Sequence, residues 1–309
     1  MTAAVPAPSP HLAPVPSHAR ALTPDLARGA ALLGIAVVNA GLLAPQAPRS
    51  VADRVAAVVV TALLENRSWP VFALMFGFGL AAIGARLDHR GISTAARNRV
   101  LRRRSGWLAA AGLAQAALVF WGDILAVYGL TGLVVVALLG GSWRARVAFG
   151  ALSVATWLLG TAALGAGSGA VPDSADYVTS VGERLATFAF WTGANTLALT
   201  HLAPMLVGVA LFEIGALHRP AAHLRLLRRL ATWGFTTGLV GAVPLCLVVA
   251  GAWAPSSGWH ALALGLHAGS GSRRERRTLP SWPSGRPAAS PRRRAGGLRR
   301  CWSRSGGAR

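Results

Sequence analysis

Four charged side chains and one histidine lie in otherwise apolar stretches. A polar group there is energetically costly, so each is a candidate for a structural or functional role. Asp25 and Arg28 are three residues apart, so one helix face presents both and could grip a phosphate-bearing cofactor. The same spacing also suits an ion pair that caps a helix. Asn39 follows in the same apolar stretch, where it could orient a substrate carbonyl or hold two helices together by hydrogen bonds.

The remaining candidates lie further along the chain. Asp123 separates two apolar runs and could act as a general base or cap a turn. His201 opens an apolar stretch and suits either acid–base chemistry or an interfacial position. Glu213 precedes a basic segment, so we expect its carboxylate to reach the membrane surface. For Gln115 and Tyr128 we expect structural hydrogen bonds between the two neighbouring helices.

No motif for nucleophilic catalysis, nucleotide phosphates or a metal accompanies these residues. The two cysteines, Cys246 and Cys301, give neither a disulfide framework nor metal-ligand spacing. We therefore predict no metal site and no bound cofactor. Catalysis, if present, must come from isolated polar residues in apolar surroundings.

Composition indicates the solvent in which these side chains act. Of the 309 residues, 53% are hydrophobic and only 13% are charged, and the mean hydropathy is +0.47. These values predict an all-α, polytopic integral membrane bundle. The net charge of +21 is carried by arginines, most of which flank apolar segments or lie near the C-terminus. Flanking arginines mark cytoplasmic connections, so nucleic acid is not an expected partner, whereas membrane lipids are.

Residues 99–146 illustrate the pattern. Two apolar runs lie between basic clusters, and Asp123 stands where the runs meet. The clusters consist of Arg99, Arg102, Arg103 and Arg104 before the runs, and of Arg144 and Arg146 after them. We interpret the segment as a membrane hairpin with both basic ends in the cytoplasm. An acidic residue at its far turn is a functional candidate by default.

The same reasoning extends along the chain. A helix is expected to start with Thr23 as N-cap and Pro24 in its first position. We expect exterior loops at 45–67 and 167–183, cytoplasmic loops at 86–104 and 218–229, and an interrupted, interfacial or re-entrant stretch at 185–199. The seven expected crossings are 29–44, 69–85, the run ending at Trp121, 126–139, 147–166, 202–217 and 230–250.

A weak internal similarity runs through this arrangement. The segment 77–84 (GFGLAAIG) resembles 208–215 (GVALFEIG), and each precedes a basic segment and a Trp-bearing helix. A duplication is one explanation, and it is a known property of transporters. The chance recurrence of small residues in membrane helices is the other.

The two ends differ from the centre. Residues 1–21 predict a disordered cytoplasmic leader, with a cleaved signal peptide as the competing interpretation. Residues 22–268 form the expected transmembrane domain. Residues 269–309 carry twelve arginines and no apolar segment. This tail is either a basic, disordered segment that binds anionic lipid or nucleic acid, or an out-of-frame product of a GC-rich gene. We favour the frameshift, because composition and topology change at one place.

Three stretches share order and spacing with a known family. They are 25–39 with Asp-x-x-Arg-Gly and Asn, 72–81 with Gly-x-Gly, and 112–130 with Gly-Asp-Ile-Leu and Tyr. Over residues 22–250 the chain resembles the bacterial YeiB-like membrane proteins (domain of unknown function 418). Gln115 stands where the family has a histidine.

The first helix is also similar to that of the transmembrane acyltransferases. This resemblance implies transfer from cytoplasmic acyl-CoA to an envelope glycan or lipid, in the bacterial inner membrane with a cytoplasmic N-terminus. Asp25, Arg28 and Asn39 would line the acyl-donor site. The acyltransferase histidine after the first helix has no counterpart in 40–67. The alternatives are a transporter with Asp123 and Glu213 as intramembrane charges, a membrane scaffold, and an inactive fragment.

Overall fold

A computed structural model describes residues 22–43, 50–164 and 176–269. Helix accounts for 83% of these residues, and no strand occurs among them. The predicted leader (1–21) and nearly all of the predicted tail (269–309) lie outside the described residues. The helices are α1 (Leu22–Leu43), α2 (Val51–Leu63), α3 (Ser68–His89), α4 (Thr94–Leu118), α5 (Leu125–Leu139), α6 (Trp143–Leu164), α7 (Tyr177–Leu197), α8 (Leu202–Glu213), α9 (Leu224–Val249) and α10 (Ser257–Gly269).

The helical membrane class is supported, but the prediction of seven crossings is not. By length and composition, two segments of the described chain could span a membrane, Val51–His89 and Pro220–Val249. The pair α7 and α8, bent by 54°, would make a third. Several expected crossings are too short on their own, because α5 and α8 have 15 and 12 residues and a straight crossing needs about 20.

Several helices begin earlier than their sequence predicted. Helix α1 begins at Leu22, so Thr23 and Pro24 lie inside its first turn. Two expected loops are largely helical, because a polar side chain caps each helix. Ser50 caps α2 in a reciprocal pair with Asp53, within the expected exterior loop 45–67. Ser93 caps α4, which therefore contains most of the arginines assigned to the loop 86–104.

Helix α7 corrects two further expectations. Asp176 caps it by accepting from the Thr179 amide at 2.8 Å, so Glu183 lies in a helix and not in the exterior loop. Hydrogen bonds from the Thr179 amide and hydroxyl hold the pKa of Asp176 below its usual value. Within the stretch expected to be interrupted (185–199), the polar residues 192–195 remain helical, and the Asn195 side chain bonds to the Trp191 carbonyl at 2.8 Å. The helix breaks instead at residues 198–201.

Two small residues bring α3 and α8 into backbone contact. A Cβ atom at Gly77 would overlap the carbonyl of Met205, and one at Gly208 would overlap the carbonyl of Leu74. The helices run in the same direction, since Trp69 meets His201 near their first turns and Phe78 meets Phe212 further along. Close approach through glycine is the usual packing of membrane helices.

The helices before and after this pair repeat one arrangement. Helix α1 packs on α3 as α6 packs on α8, and α4 packs on α5 as α9 packs on α10. In this repeat α2 corresponds to α7, and α4 corresponds to α9. Helix α2 contacts α9, and α7 contacts α4, so each half makes the same contact with the other. Breaks of four residues, 64–67 and 198–201, precede α3 and α8, and each holds a non-glycine residue with positive φ, Asn66 or Leu199. The duplication considered from sequence thus has a structural counterpart.

Candidate functional site

His201 lies in the second helix break with its ring enclosed by aromatic side chains. Its exposed fraction is 2%. The ring centroid lies 4.5 Å from that of Trp69 in α3 and 5.0 Å from that of Tyr128 in α5. Three separate parts of the chain therefore form the surroundings of the imidazole, and the predicted catalytic candidate is buried within the protein.

The hydroxyl of Tyr128 is committed to the backbone beside this histidine. It donates to the Trp69 carbonyl at 2.7 Å, which joins α5 to α3. The expectation that Tyr128 bonds across the α4–α5 hairpin is thus wrong. Burial of the whole side chain explains the change, because a buried hydroxyl bonds to the nearest available acceptor.

Polar partners reach His201 from its own helix break. The Thr200 hydroxyl oxygen lies 2.7 Å from His201 Nδ1. The same oxygen lies 3.1 Å from the side-chain oxygen of Asn195 and 3.2 Å from its backbone carbonyl. The break after α7 thus places a threonine and an asparagine behind the imidazole, and sequence analysis singled out neither for this role.

Arg28 and Asp25 form the predicted pair on α1. Their side chains approach to 3.2 Å, and Arg28 also donates to the Met75 carbonyl of α3 at 3.3 Å. A Cβ at Gly79 would lie 3.0 Å from the Arg28 guanidinium, so the glycine leaves space for it. Asn39 lies about 16 Å further along the helix, at 1.5 Å per residue, and the structure does not bring it to this pair.

A second arginine, Arg104 of α4, lies close enough to Arg28 for their like charges to interact. Its guanidinium stands 5.3 Å from the ring centroid of Phe76. The Phe76 ring lies 5.9 Å from that of Tyr128, which in turn contacts His201. A series of contacts thus connects Arg104 with the buried histidine, and we call it the aromatic series (Phe76, Tyr128, His201).

Asp123 occupies the predicted turn between α4 and α5. Its carboxylate accepts from the amides of Leu125 and Ala126 at 3.0 and 3.4 Å, and 5% of the residue is exposed. Burial raises the pKa of this carboxyl, and the backbone hydrogen bonds partly offset that effect. Of the two roles open from sequence, this geometry favours the turn cap over the general base.

Glu213, the second intramembrane charge considered for transport, ends α8 and forms an ion pair with Arg146 of α6 at 2.5 Å. Almost half of its side chain is exposed.

A buried polar cluster beside the first helix break escaped the sequence analysis. Glu65, 4% exposed, accepts from the Thr61 hydroxyl at 3.0 Å and lies 4.0 Å from His267 of α10. Arg67 donates to the carbonyls of Glu65 and Thr61, and also to that of Gly238 in α9. The run Glu65-Asn66-Arg67 was a visible signal, but its partners lie far along the chain.

Chemically, the site combines two arginines, Arg28 and Arg104, with a buried imidazole. Within the described ranges, no group of three or more histidine, cysteine, aspartate or glutamate side chains could hold a metal ion. Comparison with protein-family models, curated proteins and solved structures found no match to this chain. The function therefore rests on the geometry and on the resemblance drawn from sequence motifs.

Proposed function

We propose that this chain is a YeiB-like protein of the bacterial inner membrane that transfers an acyl group from cytoplasmic acyl-CoA to an envelope glycan or lipid. The supporting observation is the aromatic series, which joins Arg104 to His201. The arginine end suits an anion, and the other end contains a proton acceptor, His201. The arrangement therefore fits a charged donor whose reactive group enters an apolar interior.

The donor end carries the charge. Arg28 and Arg104 come from different helices, and the charge of Arg28 acts on Arg104, so a phosphate bound near both would offset their repulsion. Asp25 compensates only one of them, because it pairs with Arg28. The phosphates of coenzyme A supply the complementary charge. We place this end on the cytoplasmic side, together with the N-terminus.

The chemistry requires one base at the buried end. The acceptor hydroxyl gives its proton to a ring nitrogen of His201, and its oxygen attacks the thioester carbonyl. The carbon–sulfur bond then breaks, and the imidazolium returns the proton to the departing thiolate. The products are the acyl ester and free coenzyme A, and the histidine is regenerated.

Transfer from radiolabelled acetyl-CoA in inner-membrane vesicles tests this proposal. We expect Arg28→Gln and Arg104→Gln to weaken binding of the donor, and His201→Gln to abolish transfer while binding persists. Arg99→Gln removes an exposed arginine of α4 and should leave binding unchanged, which controls for the loss of positive charge. Unaltered binding in both Arg28→Gln and Arg104→Gln would refute the donor site.

Transport is the second candidate, and one specific observation favours it. The two helix breaks, 64–67 and 198–201, occupy corresponding positions in the repeated arrangement, and binding sites of secondary transporters form at such breaks. Proton or solute flux into liposomes that depends on His201, without acyl transfer, would support transport over the enzyme.

A further inference from the structure

The hydroxyl of Thr200 faces three atoms that can accept a hydrogen bond, and it has one proton to give. These atoms are the backbone and side-chain oxygens of Asn195 and the Nδ1 atom of His201. At 3.1 and 3.2 Å the two oxygens contact the hydroxyl closely, and at 2.7 Å the ring nitrogen lies closer still. The direction of each hydrogen bond is therefore constrained.

The orientation of the Asn195 amide removes one ambiguity. Its Nδ2 donates to the Trp191 carbonyl at 2.8 Å, and turning the amide over would set two oxygens against each other there. Its side-chain oxygen must therefore face Thr200. Neither oxygen of Asn195 carries a proton, so both contacts are favourable only if the Thr200 proton points towards Asn195.

With that proton committed, Thr200 can only accept from the imidazole. A hydrogen bond of 2.7 Å then requires a proton on Nδ1 of His201. We propose that Thr200 is a positioning residue that holds neutral His201 in the tautomer protonated at Nδ1, so that Nε2 carries the free lone pair. The catalytic use of that lone pair rests on the proposed acyl transfer, whereas the tautomer itself does not.

This assignment completes the role of the helix break. The helix ends at Leu197, and residues 198–201, with Leu199 at φ 52°, return Thr200 to the Asn195 carbonyl. The break thereby supplies an acceptor to Nδ1 of the imidazole. Fixing a histidine tautomer through its second nitrogen is a general way to prepare it as a base.

Nitrogen NMR of ¹⁵N-histidine-labelled protein in lipid nanodiscs tests the tautomer directly. The His201 signals are those that disappear in His201→Gln. We expect a proton on Nδ1 in the wild type and in Thr200→Ser, which keeps the hydroxyl. In Thr200→Val the population protonated at Nε2 should rise. A wild-type signal with the proton on Nε2, or spectra identical in all variants, would overturn the proposal.

Turnover separates this inference from the proposed function. If acyl transfer occurs, Thr200→Val should lower kcat about tenfold or more with an unchanged donor KM, and Thr200→Ser should restore it. An unchanged kcat in Thr200→Val would overturn the positioning role. Absence of transfer in the wild type, together with the expected NMR signal, would refute the proposed function and leave the tautomer assignment intact.

Discussion

Asp123 lies at a position that suggests a catalytic role, but its contacts indicate a structural one. Its carboxylate bonds to two amides of the first turn of α5, which a helix would otherwise leave unsatisfied. We expect Asp123→Ala to lower the free energy of unfolding by about 0.5–2 kcal/mol, and Asp123→Asn to retain most of the stability. Thermal unfolding in detergent compares them. A catalytic aspartate would instead lose activity in the Asn variant despite unchanged stability.

The burial of Asp123 also predicts a pH dependence. Because burial raises its pKa above the ordinary value of 3.8, the folded state binds the proton more tightly than the unfolded state. The contribution of this group to stability is thus greatest at acid pH and is lost as the pH rises from 3.8 through the folded pKa.

Asparagine at this position does not titrate, so Asp123→Asn isolates the effect. The wild type should lose stability relative to Asp123→Asn between acid and neutral pH. Melting temperatures of both proteins over this range provide the measurement. A constant difference between the two curves would show that the carboxyl has the same pKa in both states.

At the scale of elements, the α3–α8 contact depends on glycine. Gly77→Ala or Gly208→Ala would drive a methyl group into a backbone carbonyl of the partner helix. Overpacking of this kind costs about 1–3 kcal/mol. Gly234→Ala in α9 meets open space and should be neutral or stabilising, since alanine favours helix. Melting temperatures that fall equally in all three variants would contradict the close approach.

Local sequence signals predicted the helices better than they predicted the contacts between distant residues. The α4–α5 hairpin and its turn followed from the run of apolar residues on either side of Asp123, and the Asp25–Arg28 pair followed from helical spacing. The pairing of Glu65 with His267 did not, because it joins α10 to a helix break 202 residues earlier. No spacing rule predicts such long-range partners, and the same holds for Trp69 and His201.

The predicted helix boundaries were wrong where a cluster of charged residues was interpreted as a loop. The arginines of α4 are good helix formers, and Ser93 starts their helix, yet their density indicated a cytoplasmic connection. A helix can continue beyond a membrane, so a high density of arginines does not by itself predict a loop. Sequence therefore predicted which segments are apolar more reliably than how many of them cross.

For the whole molecule, the membrane assignment makes the plainest prediction. The segment Val51–His89 exposes apolar side chains, including Val55, Val59 and Val71. Large exposed apolar surfaces are unfavourable in water and are typical of membrane-facing helices. We expect the protein to stay in the membrane pellet after an alkaline carbonate wash and to need detergent for extraction. Recovery of monodisperse protein from the aqueous wash would contradict this assignment.

The backbone contact between α3 and α8 limits how these two helices can move against each other. No compressible layer of side chains separates the helices where Gly77 and Gly208 meet the partner backbone. Sliding of α3 along α8 would press these glycines against the partner backbone, so their crossing point opposes such a displacement.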